Sequence, residues 1–228
     1  MEKVCVGWWR DPDQSSVAVD KLLAALDHPA VRAATLHVED AEQAALRYGA
    51  GSGGRLLAAL ASVWVDSYQD LPALPDATAS WLVSESVPQA YGASFTWSEG
   101  TRSPGLSLVT LLDKPSALDE SEFYRYWHVL HRATTAECHP FASYVRNEVV
   151  RPLSPEAPSV RGIVTESALE VEDFLDQHRF YVSGGDPDRL RVNQRRVFGE
   201  VSTFIDMSTI QVAPMAEYVV RRLAPTSP

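Results

Sequence analysis

The chain has 228 residues, enough for one large domain or two small ones, and 45% of them are hydrophobic, which predicts a fully globular protein. The formal net charge of −10 argues against nucleic acid as a partner, because neutralising phosphates requires clustered Lys and Arg, and it also disfavours an anionic membrane surface. The two cysteines, Cys5 and Cys138, are too few for a disulfide framework.

The first half of the chain alternates apolar runs with segments of helical spacing. Strands are predicted at residues 3–9, 31–38 and 81–87, and helices at 17–26, 41–48 and 55–61. Residues 63–68 either extend the last helix or form a further strand. The glycine-rich segment 49–54 is interpreted as a flexible loop and not as a phosphate-binding loop, because no Gly-Lys-Ser/Thr follows it.

The second half repeats this order of elements. Strands are predicted at 106–112, 142–150, 202–207 and 210–212, and helices at 119–137, 171–178 and 188–198. Two β-α-β-β-α-β units predict an α+β fold of tandem ferredoxin-like repeats that pack sheet to sheet, with a cavity between sheet and helices. A doubly wound α/β domain is the alternative, although the elements do not alternate strictly.

The predicted helix 119–137 contains the most informative residues of the chain. Asp119 and Glu122 have the spacing of a capping box, so the helix is expected to begin there. With successive residues set 100° apart, one apolar arc contains Phe123, Tyr126, Trp127, Leu130, Ala133 and Thr134. His131 falls at the edge of this arc, between core and cavity, where an imidazole can transfer protons near neutral pH.

Three segments of the second half carry a family resemblance: Phe123-x-x-Tyr126-Trp127-x-x-x-His131, residues 144–150, and Phe204-Ile-Asp206. Over roughly residues 101–222 the chain resembles the EthD family of the dimeric α/β-barrel superfamily. The resemblance implies that the two ferredoxin-like repeats form a dimeric α/β-barrel. It also implies a small enzyme without metal or organic cofactor, of the kind that dehydrates, decarboxylates, cyclises or oxygenates aromatic and polycyclic molecules.

The first half lacks the Trp-x-x-x-His spacing and is interpreted as a degenerate repeat. The predicted domains are therefore a degenerate N-terminal repeat at 1–92, a connector at 93–104, an EthD-like repeat at 105–222 and a tail at 223–228. A monomer suffices to build the barrel from two fused repeats, but fused barrels of this superfamily often pair again. A homodimer is therefore the expected state.

The predicted catalytic residue is His131, acting as a general acid/base; the alternative is a core-edge histidine bonded to a backbone carbonyl. Substrate binding is predicted for aromatic and cationic side chains near it: Phe123, Tyr124, Trp127, Tyr144 and Arg146. Strand alternation puts Tyr144, Arg146 and Glu148 on one face, where they hold a carboxylate or phenolate substrate or form a salt-bridged interface. Asp206 either orients a histidine or caps a turn.

A metal site is weighed because His128, His131, Cys138 and His139 lie within a short span. The helical arrangement turns His128 to the polar side, and no further ligand stands at a recognised spacing. Neither a metal nor another cofactor is therefore expected.

The predicted function is a cofactor-independent enzyme of the lyase, dehydratase or cyclase type, using His131 on a hydrophobic aromatic or polycyclic small molecule. The alternatives are a non-catalytic ligand-binding or accessory protein of a catabolic or secondary-metabolite pathway, and a cofactorless monooxygenase. A cytoplasmic location is expected, because the sequence contains neither a signal-peptide pattern nor an apolar run of roughly 20 residues.

Overall fold

Eight antiparallel strands close into a barrel in the computed structural model, which describes residues 1–49, 54–92 and 97–223. The strands are β1 (Glu2–Arg10), β2 (Val31–Glu39), β3 (Leu56–Val65), β4 (Ala79–Gln89), β5 (Leu106–Leu112), β6 (Ser143–Pro152), β7 (Gly162–Ala168) and β8 (Gln211–Arg221). Their order around the barrel is β1-β3-β2-β8-β5-β7-β6-β4, and β4 pairs with β1 to complete the circle.

Most of the helical residues belong to the second half of the chain. The helices are α1 (Val19–Leu26), α2 (Glu120–Tyr124), α3 (His131–Cys138), α4 (Glu172–Leu175), α5 (Gln177–Phe180) and α6 (Pro187–Phe204). A π-helical segment, Arg125–Leu130, joins α2 to α3, and short 3₁₀ segments lie at Ala41–Leu46 and Tyr68–Asp70. Within the described ranges, none of these helices combines the length and apolar character needed to cross a bilayer.

The predicted packing of two ferredoxin-like sheets face to face is wrong. The two halves join edge to edge instead: β2 pairs with β8 and β4 pairs with β6, so the barrel has a common interior. Closure of this kind leaves no strand edge with unpaired backbone groups. The first half also lacks the second helix of such a repeat, because the connection from β3 to β4 contains only a 3₁₀ turn.

Two predicted elements are wrong as well. The predicted helix at 55–61 lies in strand β3, whose Leu- and Ala-rich sequence is buried on both faces and therefore does not alternate. The predicted strand at 202–207 is the end of α6 and the turn after it. Strand β7 was not predicted at all. By contrast, the strands predicted at 31–38 and 106–112 are confirmed as β2 and β5.

Tightly packed side chains fill the barrel interior. Trp9 of β1 meets Trp81 of β4 edge to face, with 5.8 Å between the ring centroids. Gly7 leaves room for this pair, because a Cβ at that position would lie 2.8 Å from Cη2 of Trp9. The outer face of the first half is covered by α1, whose Leu22 and Leu26 join a second apolar cluster. A ligand space of useful size is therefore expected outside the barrel wall.

Parts of three predicted segments lie outside the described residues. These are residues 50–53 of the glycine-rich loop, 93–96 of the connector and 224–228 of the tail. The predicted domain boundaries stay a prediction.

Candidate functional site

A cavity of about 460 Å³ lies between the outer barrel wall of the second half and the helices that cover it. Strands β5 and β7 supply one side of the lining, with Leu108, Thr110, Val164 and Glu166. The opposite side comes from the π segment, α3, α5 and α6. This volume is in the range of small-molecule sites in proteins.

Aromatic side chains from both layers form much of the cavity wall. They include Trp127, Phe141, Tyr144, Phe180, Tyr181 and Phe204. Flat apolar walls of this kind favour a planar, largely apolar ligand, because ring faces and edges pack closely against one another.

The π segment determines which helical residues face this cavity. The backbone N–H of His131 donates to the carbonyl of Tyr126, five residues earlier, so this turn contains one residue more than an α-helical turn. Phe123, Trp127 and His131, spaced by four, are consequently all buried on one side. A regular α-helix with 100° between residues would place Leu130 on the buried apolar arc, but Leu130 is 38% exposed. π-Helical turns are frequent at functional sites.

Arg146 of β6 supports this turn from the barrel side. Its Nη1 donates to the carbonyl of Trp127 at 3.0 Å, and its Nε donates to Ser86 Oγ at 3.2 Å. The guanidinium is buried and is not part of the cavity lining. The guanidinium therefore contacts the backbone of the turn between Trp127 and His131.

His131 is held by a carboxylate at the edge of the cavity. Its Nδ1 lies 3.1 Å from Oε2 of Glu200 on α6, and its ring centroid lies 5.2 Å from that of Phe204. Burial lowers the pKa of His131 and outweighs the opposing effect of Glu200. A neutral imidazole that donates from Nδ1 to Glu200 leaves Nε2 as the proton acceptor.

Glu166 is a carboxyl group on the strand side of the same cavity. On β7 it lies directly opposite Tyr144 of β6 on one side and Leu108 of β5 on the other. Within the described part of the chain its carboxyl group takes part in no hydrogen bond or ion pair. Burial raises its pKa to about 7, so it exchanges a proton near neutral pH.

His139 follows α3 and is a second imidazole in the lining. Its Nδ1 donates to the carbonyl of Phe180 at 3.1 Å, and its ring is stacked on Phe141 at 4.9 Å. Burial lowers its pKa to about 4, so the ring is neutral at pH 7.

The structure brings three of the predicted site residues to the cavity: Trp127, His131 and Tyr144. Phe123 lies behind Trp127 in the core, and Tyr124 packs on Trp127 and His128 away from the lining. Burial, with the neighbouring Glu148, raises the pKa of Tyr124 to about 12. The binding roles predicted for Phe123 and Tyr124 stay predictions.

Two residues outside the lining had open roles. Asp206 caps a turn: its Oδ1 accepts hydrogen bonds from the backbone N–H of Ser208 at 3.0 Å and from its Oγ at 2.6 Å. His128 is half-buried beside Trp127, with 4.7 Å between the ring centroids. Among the residues with described coordinates, no group of three or more His, Cys, Asp or Glu side chains is arranged to hold a metal ion.

Sequence patterns did not indicate Glu166, His139 or Glu200 as site residues. Glu166 was missed with its strand, although Gly162 followed by the β-branched run 163–165 is a strand signal. His139 was considered only as a metal ligand. Glu200 has no local signal, because it stands 69 positions from His131 in the chain.

The comparisons with known proteins bear on the fold. No family model matches the chain, and no curated protein matches it. Among solved structures, the chain is similar to one described as an anthrone oxidase-like protein, at 9% sequence identity and a TM-score of 0.57. The match covers 100% of this chain and 97% of that one.

The likeness is one of fold. It shows a shared fold alone, and it does not extend to the EthD family.

Proposed function

We propose that the cavity binds a planar aromatic or polycyclic molecule and that His131 transfers a proton to or from it. The pair of His131 Nδ1 with Glu200 carries this proposal, because it orients the imidazole, which burial keeps neutral, at the wall of an apolar cavity. A cofactor-independent enzyme of the lyase, dehydratase or cyclase type fits this arrangement. The spacing of Trp127 and His131 supports a place for residues 105–222 in the EthD family.

The chemistry follows from the orientation of the imidazole. Nε2 of His131 accepts a proton from a carbon or hydroxyl of the ligand, and the carboxylate of Glu200 stabilises the imidazolium that results. The proton then returns to a leaving hydroxyl, which departs as water, or to another ligand atom. Because burial lowers the pKa of His131, the ring is neutral and active as a base at pH 7.

A second candidate is oxygenation of an anthrone-type substrate, favoured by the similarity to the anthrone oxidase-like protein. Proton removal from a CH₂ group between two aryl rings yields a stabilised carbanion. The carbanion carbon forms a bond to molecular oxygen, which takes up two electrons and becomes a peroxide anion. This anion takes the proton back from the imidazolium of His131, and the resulting hydroperoxide loses water to leave a ketone. One oxygen atom of O₂ is then in the product and the other in water.

The test separates proton transfer from oxygenation by using anthrone as the probe. Under anaerobic conditions in D₂O, we expect the wild-type protein to accelerate deuterium incorporation at the CH₂ group, measured by NMR above the buffer background. His131→Ala should lower this acceleration by about two to four orders of magnitude, because the base is absent. The matched control is His28→Ala, since His28 is exposed and does not line the cavity.

Aerobic incubation under ¹⁸O₂ then distinguishes the two reactions. Label in the ketone product, lost in His131→Ala, supports oxygenation, whereas exchange without label supports the lyase-type reaction. Binding of anthrone without exchange or conversion, equal in wild type and His131→Ala, would reject proton transfer and leave a ligand-binding accessory protein.

A further inference from the structure

The carboxyl group of Glu166 is placed where a bound ligand must meet it. It projects from the barrel wall into the cavity, between Tyr144 and Leu108, and the imidazoles of His131 and His139 line the helical side. Glu166 is only partly exposed, and this exposure is to the cavity. A molecule filling the space between wall and helices therefore replaces the water around this carboxyl group.

Among the residues that the structure describes, no Lys or Arg side chain lines the cavity or pairs with Glu166. The titratable groups that line the cavity with it are Tyr48 before β3, Tyr144 on β6, His131 on α3, His139 after α3, and Tyr181 after α5. Burial disfavours the charged forms of Tyr144, Tyr181 and both imidazoles, because it raises the pKa of the two phenols and lowers that of the two histidines. Strands β5 and β8 supply only uncharged lining residues, and Glu200 on α6 is engaged with His131.

A buried carboxyl group without a partner is stabilised by any ligand group that forms a hydrogen bond with it. A ligand hydroxyl donates to the ionised carboxylate and accepts from the protonated acid. A ligand carboxylate, in contrast, meets a like charge in an apolar space whenever Glu166 is ionised. The cavity is therefore selective for the charge of its ligand.

We propose that Glu166 is the polar anchor of the cavity: it binds a hydroxyl group of an uncharged aromatic ligand and excludes aromatic carboxylates when it is ionised. This inference rests on the proposed function for the shape of the ligand, and it adds the chemical class. Hydroxylated, uncharged polycyclic molecules are the substrates that fit, which argues against the carboxylate considered for the Tyr144 and Arg146 strand.

The test uses three fluorescent probes of one shape: anthracene, 2-hydroxyanthracene and anthracene-2-carboxylate, titrated at pH 6 and pH 8. We expect wild type to bind 2-hydroxyanthracene about tenfold more tightly than anthracene. Its affinity for the carboxylate should fall up to about tenfold from pH 6 to pH 8, as the protonated fraction of Glu166 decreases. Glu166→Gln should abolish this pH dependence, and the control Glu170→Gln should retain it.

Several results would contradict the proposal that Glu166 is the polar anchor. Equal carboxylate affinity at both pH values in wild type contradicts it, and so does a pH dependence that persists in Glu166→Gln, which would belong to His131. Glu166→Leu is the second variant: it should bind anthracene as well as wild type does while losing the preference for 2-hydroxyanthracene. Thermal unfolding of both variants verifies that they are folded.

The same set of measurements separates this inference from the proposed function. Hydroxyl preference that depends on Glu166, without proton exchange on anthrone, supports the anchor and rejects the catalysis. Exchange that depends on His131, with identical probe affinities in wild type and Glu166→Gln, supports the catalysis and rejects the anchor.

Discussion

Burial shifts the proton affinity of the carboxyl group and of the imidazoles in the cavity in opposite directions. It raises the pKa of Glu166 to about 7 and lowers that of His139 to about 4, with His131 lowered as well. In each case the charged form is disfavoured, because apolar side chains replace water around it. The two imidazoles are therefore neutral near pH 7, while Glu166 is about half protonated there.

The raised pKa of Glu166 predicts a dependence of stability on pH. A carboxyl group whose folded pKa of about 7 exceeds its ordinary value of 4.5 contributes stability below pH 4.5, and this contribution is lost as the pH rises through 7. The free energy of unfolding should therefore fall by about 1–3 kcal/mol more in wild type than in Glu166→Gln between pH 5 and pH 8. Urea unfolding at both pH values measures it.

Glu170→Gln is the control, because Glu170 is exposed and should leave the wild-type profile unchanged. If the free energy of unfolding changes equally with pH in wild type and in Glu166→Gln, the raised pKa of Glu166 is contradicted.

Among the elements, the π segment and strand β7 together place the aromatic wall. Trp127 packs over Gly162, the first residue of β7, and the carbonyl of Trp127 accepts the hydrogen bond from Arg146. A Cβ at position 162 would lie 2.9 Å from Cζ2 of Trp127 and closer still to Cη2. The glycine therefore allows the ring to reach its position beside the cavity.

Gly162→Ala tests this contact. The added methyl group must displace Trp127, so we expect a loss of about 1–3 kcal/mol in the free energy of unfolding and weaker binding of 2-hydroxyanthracene. Gly199→Ala is the matched control: it lies in α6 with no atom within 4 Å of the added Cβ, and it should be neutral or stabilising by up to about 1 kcal/mol. Equal effects of both substitutions would show that the Trp127 contact is unimportant.

At the scale of the whole molecule, the barrel closes within one chain through the pairings of β2 with β8 and of β4 with β6. His37 of β2 lies opposite Glu217 of β8, with 3.4 Å between Nε2 and Oε2, and Ser103 Oγ donates to Glu217 at 2.8 Å. Burial by itself raises the pKa of Glu217, but His37, Ser103 and Tyr91 together lower it below its usual value. Closure needs no second copy, and the homodimer stays a prediction.

The lowered pKa of Glu217 predicts how the free energy of unfolding changes in acid. A carboxyl group with a lowered pKa contributes stability above its ordinary value of 4.5, and this contribution is lost as the pH falls through the folded pKa. We expect Glu217→Gln to destabilise the protein by about 1–3 kcal/mol at pH 7 and by less at pH 4. Chemical denaturation of both proteins measures the difference, with exposed Glu156→Gln as the control. A destabilisation independent of pH would contradict the lowered pKa.

Sequence patterns predicted an element correctly where the signal for it lay within a short segment of the chain. Alternation and β-branched residues indicated β2 and β5 correctly, because both read as strands over a short window. The helix predicted at 55–61 is wrong, since a strand buried on both faces has no alternation of apolar and polar residues that distinguishes it from a helix. The prediction that Leu130 lies on the buried apolar arc is wrong, because a π turn has no reliable signature in a single sequence.

The sequence by itself determined the α2–α3 helical region and the spacing of Trp127 and His131, because helical periodicity acts over a few residues. Asp119 is the N-cap residue of α2, but its side chain does not form the predicted capping hydrogen bond. Only the tertiary structure decided how the halves join, which carboxylate holds His131, and that Glu166 faces the same cavity. These contacts bring together residues distant in the chain, and they follow from barrel closure and from the helices packed on its wall, not from any local pattern.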